Sequence, residues 1–171
     1  VIVTVLAVLI LLNLLLTAGL VRRLNEHTVI LDRLAGDPDV MRPAGETVSA
    51  FTSVTTDGTP LTRDDLPAPV LVAFLSPTCA GCHEQLPALL ARAVRAPGGR
   101  TLAVVVEKDG NGAALADVLG EVTQVVVESR GGPLTTAFGV RGYPSFALLG
   151  ADGRIEAADS DLAAIPILVE A

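Results

Sequence analysis

Two thiols, Cys79 and Cys82, stand three residues apart in Ser76-Pro77-Thr78-Cys79-Ala80-Gly81-Cys82 and are the only cysteines of the 171-residue chain. At that spacing a pair can close a small disulfide ring and exchange it with another. An apolar run, Val70 to Leu75, leads into the pair, and a helix-compatible run, His83 to Val94, leads away. The first thiol then falls at a helix N-terminus, where unpaired N–H groups and the positive dipole end favour a thiolate. Thiol–disulfide exchange is the leading chemistry. Structural zinc needs four ligands, and beyond the pair the chain offers only His27 and His83. A purely structural disulfide across so short a loop removes little chain entropy. Two inert core cysteines are the remaining alternative.

The elements that must carry these thiols are legible from periodicity and turn residues. Val48 to Val54 reads as a strand, Asp57-Gly58 as a turn and Thr59 to Thr62 as the return strand. Val70 to Leu75 and Thr101 to Val106 are continuous apolar strands suited to the middle of a sheet. Ala80 to Ala96 reads as a helix with Pro87 inside it as a kink, and Ala113 to Leu119 as a second helix. Gln124 to Glu128 is a strand, Pro133 to Phe138 a short helix, and Ser145 to Leu149 a strand. After the turn Asp152-Gly153 come an edge strand, Arg154 to Ala157, and a closing helix, Asp161 to Glu170, interrupted at Pro166. Strands alternating with helices and followed by a hairpin predict an α/β protein, a three-layer α/β/α sandwich around a mixed sheet. Residues 46–171 form that domain, of a size that supports one core.

Val1 to Val21 carries no charge. As a helix it is about 30 Å long, the thickness of a bilayer core. With no basic start and no small-x-small cleavage site, it is expected to be an uncleaved transmembrane anchor rather than a signal peptide. Residues 22–45 are expected to be a helical neck, striped by Leu24, Thr28, Leu31 and Leu34, and a linker opened by Gly36-Asp37-Pro38-Asp39. The 50% apolar content therefore averages two unlike segments. Arg22 and Arg23 bias the domain towards the cytoplasm by the positive-inside rule. A net charge of −7 leaves no basic patch for nucleic acid.

Phe74-Leu75-Ser76-Pro77-Thr78-Cys79-Ala80-Gly81-Cys82 resembles the active-site strand and turn of the thioredoxin superfamily. The likeness is strongest to its membrane-tethered TlpA-like branch and to the thioredoxins that help mature methylamine dehydrogenase. Pro87, five residues after Cys82, is similar to the family's kinking proline. Gly139-Val140-Arg141-Gly142-Tyr143-Pro144-Ser145-Phe146 resembles its cis-proline segment, and Asp152-Gly153 the hairpin turn that follows. The resemblance runs from about Gly45 onward. It implies that Cys79 attacks, that Cys82 resolves, and that Pro144 is cis and lies against the pair. It also favours a bacterial protein whose domain faces outside the cytoplasm, against the local charge bias, in a single-pass cell-membrane location.

Three positions depart from the pattern. Ala73 stands where thioredoxins carry a buried acid, Gln85 where TlpA-like reductases often have a glutamate, and Thr78 where a tryptophan usually precedes the first cysteine. A substitute proton acceptor is therefore needed. Glu107, at the end of a strand on the same sheet edge as the cysteines, is the candidate; its plainer role is a solvated loop carboxylate beside Lys108. The candidate catalytic residues are Cys79, Cys82, Pro144 and Glu107, and the candidate client-binding residues Tyr143, Pro77, Thr78, Ala80 and Gly81.

The expected function is a membrane-tethered thiol–disulfide oxidoreductase acting on protein cysteines, in the reducing direction. It needs no cofactor beyond the Cys79–Cys82 pair. Its partners are a client protein, an upstream electron donor or acceptor, and the membrane through residues 1–21. Ala80-Gly81 does not itself fix the direction, so a disulfide donor is one alternative. A catalytically quiet scaffold or metallochaperone is another, although no distal histidine follows His83. A peroxidase is disfavoured by Ser76 and Val72 at the positions where peroxiredoxins carry threonine and proline.

Overall fold

The computed structural model describes residues 40–96 and 100–167, together with Asn13. In chain order the elements are β1 (Thr52–Val54), β2 (Pro60–Thr62), β3 (Val70–Leu75), α1 (Ala80–Arg95), β4 (Thr101–Glu107), α2 (Ala113–Gly120), β5 (Gln124–Ser129), α3 (Pro133–Ala137), β6 (Ser145–Leu149) and β7 (Ile155–Asp159). Single 3-10 turns follow β2 and β7, at Arg63–Asp65 and Leu162–Ala164. β1 and β2 pair as an antiparallel hairpin. The other five strands form one mixed sheet in the order β5-β4-β3-β6-β7, parallel across β5, β4 and β3 and antiparallel across β6 and β7.

Strand alternation splits the core in two. Val70, Val72 and Phe74 of β3 face one side, with Leu134 and Phe138 from α3 and its end, and with Phe51 and Leu61. Leu71, Ala73 and Leu75 face the other, with Cys82 and Leu89 of α1, Leu115 and Leu119 of α2, and Leu162. Because β3 is buried on both faces, its run is continuously apolar rather than alternating. Helices therefore cover both faces, which is the expected three-layer arrangement. Phe138 anchors the first layer, its ring 5.2 Å from that of Phe74 and 6.4 Å from that of Phe51.

The structure alters three expected elements. Only Thr52–Val54 of the first strand pairs with β2. Upstream, the Val48 N–H donates to the Gly153 carbonyl and the Ser49 N–H to the Ala137 carbonyl, so this stretch is bonded elsewhere. The last strand begins at Ile155 and runs to Asp159. Arg154 pairs instead with Thr47, and a register shift at Leu148/Leu149 carries the β6–β7 pairing further along. Within the expected closing helix the described residues form one 3-10 turn, Leu162–Ala164, capped by Asp161 Oδ1 accepting from the Ala163 N–H at 3.0 Å, and residues 168–170 lie outside the described residues. Ile165, before Pro166, is extended at φ −83°, ψ 126°, because a residue preceding proline is driven out of the helical region. No described helix is long and apolar enough to cross a membrane; the expected anchor and most of the neck lie outside the described residues.

Glu128 is a charged residue within the apolar layer, only 7% exposed. Its two oxygens accept from the Leu134 N–H at 3.0 Å and the Thr135 N–H at 2.7 Å, satisfying two otherwise unpaired donors in the first turn of α3. Glu128→Ala strands both donors in a buried setting. Urea titration is expected to show a loss of about 2–3 kcal/mol, and Glu128→Gln, which keeps one acceptor oxygen, a smaller loss.

Candidate active site

β3 ends at Leu75, and the turn Ser76–Thr78 delivers Cys79 to the N-cap of α1, at φ −93°, ψ 115°. There the Cys79 sulfur accepts from the Cys82 N–H at 3.2 Å, taking up a donor of the first helical turn. Cys79 is half-buried, whereas Cys82 is 3% exposed, and both are free thiols. The Ser76 N–H lies 3.4 Å from the Cys82 sulfur. Burial pushes the Cys82 thiol up to about 12. Its hydrogen bond with Cys79 adds to the rise, and the Ser76 amide opposes it. The two sulfurs are thus distinct: one half-buried at a helix start, the other enclosed.

Across from them, the Tyr143-Pro144 peptide is cis. The Tyr143 carbonyl accepts from the Cys79 thiol at 3.3 Å, across 64 residues of sequence. A Cβ at Gly81 would lie 3.3 Å from Pro144 Cδ, so the second residue between the cysteines packs directly on the proline ring. A mixed sheet with a C-x-x-C pair at a helix start, faced by a cis-proline loop, is the decisive combination. The fold is thioredoxin-like.

Comparison with solved structures agrees. The chain is similar to a thio-disulfide isomerase from Thermus thermophilus, at 17% identity and a TM-score of 0.53, covering 67% of this chain and 84% of that one. It is similar to the thioredoxin domain of a thiol-disulfide oxidoreductase from Bacteroides vulgatus, at 20% identity and 0.52, covering 67% and 86%. A thiol:disulfide interchange protein from Bacteroides sp. matches at 20% identity and 0.53, covering 67% and 80%. No family model and no curated protein matches the chain. At these identities the likeness speaks for the fold.

Within this thioredoxin-like domain, the expected client-facing residues line one rim. Thr78 and Ala80 are exposed, while Pro77, Gly81 and Tyr143 are half-buried. Burial raises the Tyr143 phenol above its usual value, with Arg130 pulling the other way. His83 is exposed, and its Nε2 lies 2.8 Å from the Pro77 carbonyl, bracing the turn before Cys79. Pro87 lies inside α1, as the resemblance implies.

Ala73 is fully buried beneath the site and paired with Ala103 and Phe146, so no acid stands there. Gln85 donates to Asp161 Oδ1 at 3.1 Å, joining α1 to the last 3-10 turn. Glu107 accepts from the Gly112 N–H at 2.8 Å, and a Cβ at Gly112 would lie 2.7 Å from its carboxylate. That carboxylate is committed to the loop entering α2. Sequence reasoning did not find the Ser76 amide or the Tyr143 carbonyl as sulfur contacts. Main-chain groups carry no residue-type signal, and only the fold brings them to the thiols.

The raised Cys82 value fixes a pH dependence. In the unfolded chain a cysteine titrates near about 8.5, so the folded dithiol binds this proton more tightly. The resulting stability is present below about 8.5 and is lost as pH rises through about 12. Denaturant midpoints of the reduced protein should therefore fall over that alkaline range, and Cys82→Ala should flatten the slope. At pH 8, iodoacetamide should modify Cys79 and leave Cys82 nearly untouched, read by peptide mass spectrometry. Equal labelling would contradict the assignment.

Proposed function

We propose that this protein is a thiol–disulfide oxidoreductase that reduces disulfides in client proteins, tethered by Val1–Val21 with its domain outside the cytoplasm. The observation that carries the chemistry is the Cys79 sulfur, held between the Cys82 amide and the cis-proline loop carbonyl. In this reading Cys79 gives up its proton and attacks one sulfur of a client disulfide, breaking that bond and forming a mixed disulfide, and the other client sulfur leaves and takes up the proton as a thiol. Cys82 then attacks Cys79. The Cys79–Cys82 bond forms, the mixed disulfide breaks, and the Cys82 proton passes to the departing client thiolate. Two electrons move from the protein pair to the client, and no cofactor takes part. An upstream dithiol partner renews the pair. The tether rests on the length and uniform apolarity of Val1–Val21, and the outward placement on the family resemblance.

Two experiments test this. Cys82→Ser should trap a client mixed disulfide on Cys79, visible as a reducible adduct on a gel, and Cys79→Ser should abolish both trapping and turnover. Equilibration of the pair against glutathione should give a reduction potential below about −220 mV. A value near about −120 mV would instead make the protein a disulfide donor.

A further inference from the structure

The segment Val40–Arg42 precedes every strand, yet it reaches the exchange site through the backbone. The Val40 carbonyl accepts from the Arg141 N–H at 2.7 Å and from the Gly142 N–H at 3.3 Å. Two residues on, the Arg42 N–H donates to the Phe138 carbonyl at 3.0 Å. Between them Met41 is 2% exposed and packs in the cluster that holds Phe74 and Phe138. The fit is close. A Cβ at Gly139 would lie 2.8 Å from Arg42 Cγ, and Gly139 itself has φ +62°, a conformation that favours glycine. A Cβ at Gly142 would lie 3.5 Å from Val40 Cγ1. Gly142 immediately precedes Tyr143, whose carbonyl accepts from the Cys79 thiol.

We propose that Val40–Arg42 is a positioning strap for the cis-proline loop and sets where the Tyr143 carbonyl meets the Cys79 sulfur. The proposal rests on the reading of Cys79 as the attacking sulfur. The Cys79 thiol donates to that carbonyl at 3.3 Å, and the bond is given up when the sulfur attacks. A loosened strap lets the loop drift and frees the sulfur to react faster.

The test is the rate of Cys79 alkylation by iodoacetamide at pH 7, on the full chain in detergent, resolved by peptide mass spectrometry. In Met41→Ala and Val40→Gly Cys79 should react about threefold faster, the size of one lost hydrogen bond. Met41→Leu should restore the original rate. Leu102→Ala, which opens an equally buried position in the layer of Met41 but opposite Val72, away from the strand end that carries Cys79, should leave it unchanged. The charged and titratable groups about the site are Cys82, His83 and Glu84 on α1, Arg141 and Tyr143 in the loop, and Glu128 and Arg130 acting on Tyr143. All are the same in every variant.

An unchanged rate in folded Val40→Gly would overturn the proposal, as would an equal rise in Leu102→Ala. If Met41→Ala fails to fold, Val40→Gly, at a half-buried position, decides alone. Alkylation requires no disulfide exchange. A wild-type protein that fails to reduce a client disulfide would therefore sink the oxidoreductase reading, while the strap is still judged by the same rates.

Discussion

The antiparallel register between β3 and β6 is the constraint on which the site depends. Phe74 stands opposite Ser145 and Ala73 opposite Phe146. In an antiparallel pair the end of one strand lies beside the start of the next. The turn that leaves β3 towards Cys79 and the loop that enters β6 from Pro144 therefore meet on one edge. Both strands are buried on both faces, so a slip of one residue would exchange their two apolar sets between unlike layers. Packing thus fixes the register, and the register fixes the distance between a thiol and a carbonyl 64 residues away.

From that placement the two cysteines acquire different environments through short-range geometry alone. Cys79 caps a helix at the rim, while Cys82, one turn along, points into the layer with Leu75, Leu89 and Leu115. Desolvation disfavours a thiolate in the second position. The difference between the two sulfurs thus follows from helix pitch and burial.

Ala73, Gln85 and Glu107 are, respectively, packed in the sheet, bonded to Asp161 and bonded to the Gly112 amide. The polar contacts of the two sulfurs among the described residues are the Ser76 and Cys82 amides, the Tyr143 carbonyl and each other. Backbone groups of this kind are held by secondary structure and by whatever buttresses the loops. That gives weight to distant supports such as Glu128, which fixes the start of α3, and Val40, which fixes the loop beyond it.

The chain's sequence alone determined the thiol pair, the helix that follows it, the buried strands β3 and β4, and the candidate cis proline. Each of these is written in local residue types: cysteine spacing, an unbroken apolar run, or a proline within a recognisable phrase. The ends of the fold were less legible. The stretch before β1 has strand-like and Leu162–Pro166 helical composition, but partners far along the chain claim their backbone groups. Met41 and Val40 sat in a segment whose Pro/Gly-bearing surroundings read as linker, because a backbone carbonyl bonded a hundred residues away leaves no mark on composition. Only the tertiary structure decided which main-chain groups face the sulfurs and what holds them there, since those contacts depend on strand register and layer packing rather than on the identity of the residues that make them.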